Sequence, residues 1–470
     1  MTLGCEWCGR DRGFRPHVSS NLPAIADSSE RDTERVVHTT SKPPALDGFT
    51  ASAYRRDRLA FALRAAQECG DVWRMRRNVY VALTAEPCLA VLRRTNQEYG
   101  TPPGTFPPTR RPDGSVPGEQ EFTHGHAARM RGLRPRAVAA RLGLIAPGIT
   151  EFAAGLPPGQ DIDILPRAHR MLFRIGGRYL FEEDADSLLA AGGGLPAARE
   201  AITRGLPWPR WMPTPARRAL TGHRTRFSHQ LQQVIDRRRA ENRLGEDVLG
   251  QMLKPSSQYG LLPDTAIHDS LTGLIIAGSE VPTRAVGWLM LALARHPDLA
   301  ERIATEAAAL PDDPHHPVNG RFLAELPFTE AFVREVLRLH PPNWLQARIA
   351  RRRTELAGYP IAPGTMVLVC SYTVHLDPRE HENPDTFSPD RWLDYGQASA
   401  ESRVFLPFGT GPRACEGAAL AMAELTLLAA ETARRWHLYE PEGLMPSHGI
   451  DTDGGLTPTG LRLRVTPRTR

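Results

Sequence analysis

Lysine is almost missing from this 470-residue chain: Lys42 and Lys254 stand against 56 arginines. The net charge is +5 and the isoelectric point about 9.0, a balance that by itself suggests a nucleic-acid partner. The arginine excess, beside heavy alanine and proline use, is what GC-rich coding produces. No aromatic residues interleave with the basic runs, so nucleic-acid binding is not expected. No run of 18 or more apolar residues occurs, and no membrane span is expected. The start, Met1 to Cys8, lacks the apolar core of a signal peptide, so a cytoplasmic location is expected. The six cysteines are scattered and form no disulfide framework. Cys5-x-x-Cys8 has the spacing of half a zinc site, but no second pair completes it.

What is present suffices for a large core, with 41% hydrophobic and 24% charged residues. Residues 1 to about 45 are polar, rich in arginine and proline and without periodicity, and are expected to be a disordered leader. Residues 46–470 are expected to be a single domain. Tyr54 to Cys69 reads as a helix, Val72–Arg76 and Val79–Leu83 as a short hairpin, and Ala85–Arg94 as helix again. Residues 100–120 read as a loop. The stretches 166–205 and 214–242 are two further helical regions, joined by the proline- and tryptophan-rich Leu206–Pro213. Asp264 to Arg295 is one long apolar helix between Pro263 and His296-Pro297.

Chemistry concentrates near the C-terminal end, in Phe408-Gly409-Thr410-Gly411-Pro412-Arg413-Ala414-Cys415-Glu416-Gly417. The glycines permit unusual backbone angles, Pro412 stiffens the approach, and a strong helix former begins at Ala418. Cys415 therefore sits at a helix N-terminus, where free N–H groups favour a thiolate. A thiolate on a rigid loop suits an axial haem ligand. The loop alone is also compatible with a buried structural cysteine.

Read together, these segments resemble the cytochrome P-450 family of haem-thiolate monooxygenases. The loop matches the family's Phe-Gly-x-Gly-x-(Arg or His)-x-Cys-x-Gly except at Glu416, where the family has an aliphatic residue. Ala277, Gly278 and Glu280 match its Ala-Gly-x-(Asp or Glu)-Thr, with Val281 and Pro282 in place of Thr and its neighbour. Glu335-x-x-Arg338 and, downstream, Arg391 match its Glu-x-x-Arg and Pro-x-Arg motifs in order and spacing. His375-Leu376-Asp377-Pro378 matches a further familiar segment. The resemblance covers about residues 45–470.

It implies a mainly α fold with a smaller β-rich part, clasping one haem b between the long helix and the Cys415 loop. Cys415 would hold the iron, with Phe408 and Gly417 in the same loop. Arg348 and Arg413 would grip the haem propionates, a two-pronged task suited to guanidinium. His126, Arg129 and Arg131 are further candidates there, although a solvated basic helix face accounts for them equally. Glu335, Arg338 and Arg391 would form a structural triad behind the haem loop. Glu280, Val281, Pro282 and Thr283 occupy the catalytic stretch. Val281 has no hydroxyl, and Thr283 lies about 200° round the helix. Pro282 should kink the helix and free the Gly278 carbonyl for water. Glu416 is expected to lower the haem potential or shape the face that docks a partner.

The resemblance implies insertion of one oxygen atom from O2 into an apolar small molecule, in natural-product tailoring of a terpenoid or polyketide. No flavin or iron–sulfur motif is read, so electrons are expected from a separate ferredoxin or flavodoxin with its reductase. Two alternatives stay open: a peroxide-using or non-oxidative haem-thiolate enzyme, and a non-catalytic haem- or ligand-binding protein.

Overall fold

Thr50 and Asp57 each accept a hydrogen bond from an amide three residues on, Ala53 N at 3.1 Å and Ala60 N at 2.9 Å. Two N-caps so close make two helices where the periodicity predicts one: α1, Ala51–Arg56, and α2, Arg58–Cys69. The computed structural model describes residues 42–102, 119–204, 212–309, 320–393, 404–441 and 449–468. Packing already begins before the expected boundary at residue 46. The Arg74 amide donates to Pro44 O at 2.8 Å, its Nε to Pro43 O at 3.1 Å, and Pro43 is buried. Cys5, Cys8 and the rest of the expected leader up to residue 41 lie outside the described residues, as do most of the 100–120 loop and of the 206–213 linker.

The expected hairpin is β1, Val72–Arg76, antiparallel to β2, Val79–Ala82. After α3, Ala85–Arg93, the strand β3, Tyr99–Gly100, completes the first β segment. Helices α4, Glu119–Leu133, α5, Pro135–Ala140, and α6, Ala146–Ala154, follow. Beyond the short β4, Ile162–Asp163, the region read as one helical stretch is three: α7, Ile164–Phe181, α8, Ala185–Gly192, and α9, Leu195–Arg204. Glu182, at φ +44°, ends the first, and Gly192-Gly193-Gly194 separates the others. Next come α10, Pro215–Ala240, and α11, Val248–Leu253. The buried Arg238 of α10 pairs with both Asp184 and Asp247, tying α10 to its neighbours.

The long helix is α12, Asp264–Arg295. Its C-terminal part is buried continuously from Ala285 to Leu293, as a helix apolar on every side requires. Gly287 permits this: a Cβ there would stand 2.7 Å from Leu165 Cδ2 of α7 and 2.8 Å from Pro458 Cγ. The helix runs continuously through Pro282. Then follow α13, Pro297–Glu306, α14, Gly320–Ala324, and α15, Pro327–Leu339.

Strands β5, Leu345–Ala350, β6, Thr354–Leu356, β7, Tyr359–Ile361, and β8, Met366–Cys370, lead into α16, Ser371–His375. The main sheet has the order β1-β2-β8-β5-β3; β2 and β8 are parallel and the other neighbours antiparallel. Helix α17, Ala418–Ala433, follows the cysteine loop, and β9, Trp436–Tyr439, β10, Gly449–Asp451, β11, Thr457–Thr459, and β12, Arg462–Pro467, close the chain. The strands form small sheets beside a helical body, as the mainly α reading expected.

Candidate active site

The cysteine loop is held by its backbone. Gly409 and Gly411 have φ of +64° and +76°, and a Cβ at Gly411 would lie 2.4 Å from Leu92 O at the end of α3. Gly411–Arg413 makes one 3-10 turn, and the Cys415 amide donates to Phe408 O at 2.9 Å. Gly417 is the N-cap residue of α17. Cys415 keeps solvent-accessible surface although protein surrounds it closely.

Burial pushes the Cys415 thiol up and Glu416 adds to the rise, against the Gly417 N–H. Desolvation outweighs the helix end.

Behind the loop, Glu335 and Arg338 are completely buried and paired, with Nη2–Oε1 2.8 Å and Nε–Oε2 2.9 Å. Arg391 Nε joins Glu335 at 3.1 Å, together with the Trp392 indole N–H and the Ser388 amide, each at 2.9 Å. Arg338 also donates to the carbonyls of His375, Pro384 and Thr386. Its cation and these donors hold the Glu335 carboxyl below the usual range despite burial.

His375 carries this network to the cysteine loop. Its Nε2 accepts from the Leu406 amide at 2.8 Å, so Nδ1 bears the hydrogen and donates to Arg338 O at 2.9 Å. The sequence marks the Glu335–Arg338–Arg391 set. It does not mark the bridging task of His375 or the place of Trp392, since neither has a local partner at helical spacing.

The proposed propionate arginines differ from one another. Arg348 is 5% exposed and, among the described residues, donates to Thr95 Oγ1, at 3.1 Å, and its neighbour's Ala347 O, at 2.9 Å. Burial pulls it down to about 10. Arg413 donates to Asn96 Oδ1 at 3.1 Å and lies 3.2 Å over the Phe122 ring. Arg129 and His126 of α4 are engaged by Glu416: Arg129 Nε and Nη2 at 2.5 and 2.6 Å, His126 Nδ1 at 2.7 Å. This holds Glu416 down to about 2. Arg131 turns the other way, onto the carbonyls of Gln251 and Lys254 at the C-terminal end of α11.

On α12, Gly278 and Val281 are exposed in mid-helix while Ser279 between them is fully buried. A Cβ on Gly278 would meet nothing within 4 Å. Thr283 Oγ1 donates back to Ser279 O at 2.6 Å, so its hydroxyl serves the helix itself. Glu280 is half-buried, its Oε1 has no hydrogen-bond partner among the described residues, and burial raises its carboxyl. Arg199 and Arg284 oppose that rise. Among the described residues no helix is long and apolar enough to cross a membrane.

The cytochrome P-450 family model matches residues 175–460. Over 295 residues the chain is 29% identical to cyclooctat-9-en-7-ol 5-monooxygenase of Streptomyces melanosporofaciens, covering 60% of this chain and 62% of that one. Over 330 residues it is 28% identical to pentalenene oxygenase of Streptomyces avermitilis, covering 68% and 72%. The fold is similar to the crystal structure of a cytochrome P-450 haem domain with a TM-score of 0.75, at 21% identity, over 91% of this chain and 97% of that one. The match to the family model takes in α12, the buried Glu335–Arg338–Arg391 set and the Cys415 loop, and the chain belongs to the cytochrome P-450 family.

Proposed function

We propose that the chain is a haem-thiolate monooxygenase acting on an apolar, cyclic terpenoid. The cofactor of the family is haem b, and the residues fit it. Arg348 is a buried guanidinium with no carboxylate partner among the described residues, a costly state that a haem propionate relieves. Cys415 is a solvent-accessible thiol on a loop held by its own backbone hydrogen bonds. When bound, haem with its thiolate ligand supplies oxygen activation and two-electron oxidation of the substrate.

The protein residues do the rest. Cys415 is the iron ligand, with the coordinated thiolate favoured over the thiol by the metal. Phe408, Arg413 and Gly417 shape its loop, while Glu335, Arg338 and Arg391 hold that loop in place. The exposed Gly278 and Val281 present a small apolar face to the substrate side. Glu280, half-buried with a free oxygen, is the group that holds and releases protons there. Pro282 leaves the Gly278 carbonyl without its helix N–H, an acceptor for water.

The substrate class rests on the relatives, whose names specify oxygenation of cyclooctat-9-en-7-ol and of pentalenene. Electrons come from a ferredoxin or flavodoxin with its reductase, in the cytoplasm. The carrying observation is the buried, carboxylate-free Arg348 together with Cys415. The test is the absorbance difference spectrum of the reduced protein with and without carbon monoxide. A long-wavelength thiolate-type Soret band is expected; a short-wavelength band overturns the reading.

A second reading is favoured by one observation. Val281 has no hydroxyl and that of Thr283 is bonded to Ser279 O, so the usual acid–alcohol pair is missing. A peroxide-using enzyme needs that pair less. Turnover with peroxide far above turnover with ferredoxin selects this alternative.

A further inference from the structure

Arg129 and Arg348 are both almost fully buried, at 6% and 5% exposure. They differ in what they hold. Arg129 offers Nε and Nη2 side-on to the two oxygens of Glu416, and its Nη1 donates to Ser270 Oγ of α12 at 2.6 Å. His126, one turn earlier on α4, reaches the same Glu416 Oε1. These two basic groups of α4 already have a carboxylate, and it belongs to the residue next to Cys415. Arg348 has none.

A buried guanidinium needs an anion, and a two-pronged pair with optimal geometry satisfies it. Glu416 supplies that anion from within the chain. Its backbone is fixed by the glycine-rich loop on one side and by the start of α17 on the other. Arg129 thus ties three elements, α4, α12 and the cysteine loop, at one point.

We propose that Glu416 stands in for a haem carboxylate at α4: it clamps His126 and Arg129, locks α4 against the cysteine loop and α12, and leaves the haem propionates to Arg348. This rests on the haem reading above and departs from the role the resemblance implies for His126 and Arg129. Glu416 and Arg129 are then positioning residues. They do not touch the reacting atoms.

The experiment compares haem-loaded, full-length wild type with Glu416→Gln, Glu416→Leu, Arg129→Gln and Arg348→Gln. Two quantities are read: hydrogen exchange of the α4 amides, and the rate of haem transfer to apomyoglobin. Either Glu416 variant is expected to speed exchange across α4 at least about tenfold, the loss of charge-assisted hydrogen bonds. Arg348→Gln is expected to speed haem loss at least about tenfold by the same loss, and Arg129→Gln by less than about threefold. Unchanged α4 exchange in both Glu416 variants overturns the clamp. Haem loss from Arg129→Gln equal to that from Arg348→Gln shows that α4 grips a propionate, and overturns it too. Failure of the haem reading is seen separately, as a wild-type protein that gives no thiolate band. The exchange comparison reads the clamp in either case.

Discussion

The Glu335 carboxylate and the Arg338 guanidinium face each other one helical turn apart, both with no exposed side-chain surface. Such a pair is a poor source of net stability, but removing one member leaves a buried charge unpaired. Glu335→Gln is expected to destabilise the fold by about 3–5 kcal/mol, because Arg338 and Arg391 lose their shared anion. Denaturant unfolding of the haem-loaded protein checks this. The carboxyl is held below its ordinary 4.5, so its contribution is full above that value. It is lost as pH falls through the lower folded value.

Two buried histidines, His375 and His381, and the half-buried His296 set a second pH dependence. Burial pulls His296, His375 and His381 down to about 4, 3 and 4 from 6.5. Above 6.5 they are neutral folded and unfolded, and contribute nothing. Below it the unfolded chain takes up protons that the fold refuses, so stability falls with pH until the folded groups titrate. Each removes up to about 1.4 kcal/mol per pH unit. Among the described residues neither ring nitrogen of His381 has a hydrogen bond, and the ring faces Arg338, Arg391, Glu335 and Asp377. His381→Leu should therefore flatten the fall of Tm between pH 6 and 4.5, roughly the window in which the unfolded histidine charges alone.

Glu280→Gln keeps the shape of the α12 face and removes the proton. Ferredoxin-driven product formation is expected to fall about a hundredfold, within the range for loss of a general acid. The substrate-induced spectral shift and peroxide-driven turnover should stay near wild type. Equal losses with both oxidants would mean that Glu280 holds the helix rather than a proton.

Pro282→Ala should separate stability from function. It restores an N–H to the Gly278 carbonyl, regaining part of the ~3 kcal/mol a mid-helix proline costs. A higher Tm with less product per electron is expected. A protein as well coupled as wild type refutes the role of the freed carbonyl.

Much of this was readable in one dimension because its physics is local. A loop whose backbone needs positive φ calls for Gly409 and Gly411, and an i, i+3 pair announces itself as Glu335 and Arg338. The 32 residues of α12 show in periodicity, with a proline that the surrounding core tolerates. Helix ends were less legible. The division at Asp57 and at Glu182 depends on one cap and one positive φ, which the periodicity does not register.

The sequence alone determined which side chains could serve: one cysteine on a glycine-rich loop, a carboxylate on α12, arginines of the right spacing. Tertiary structure decided what each one meets, since these partners lie tens to hundreds of residues apart. It gave Arg129 and His126 to Glu416, left Arg348 without a carboxylate among the described residues, and joined Arg338 to Leu406 through His375. A buried charge takes the partner that the fold brings within hydrogen-bond reach, and spacing along the chain does not specify that partner.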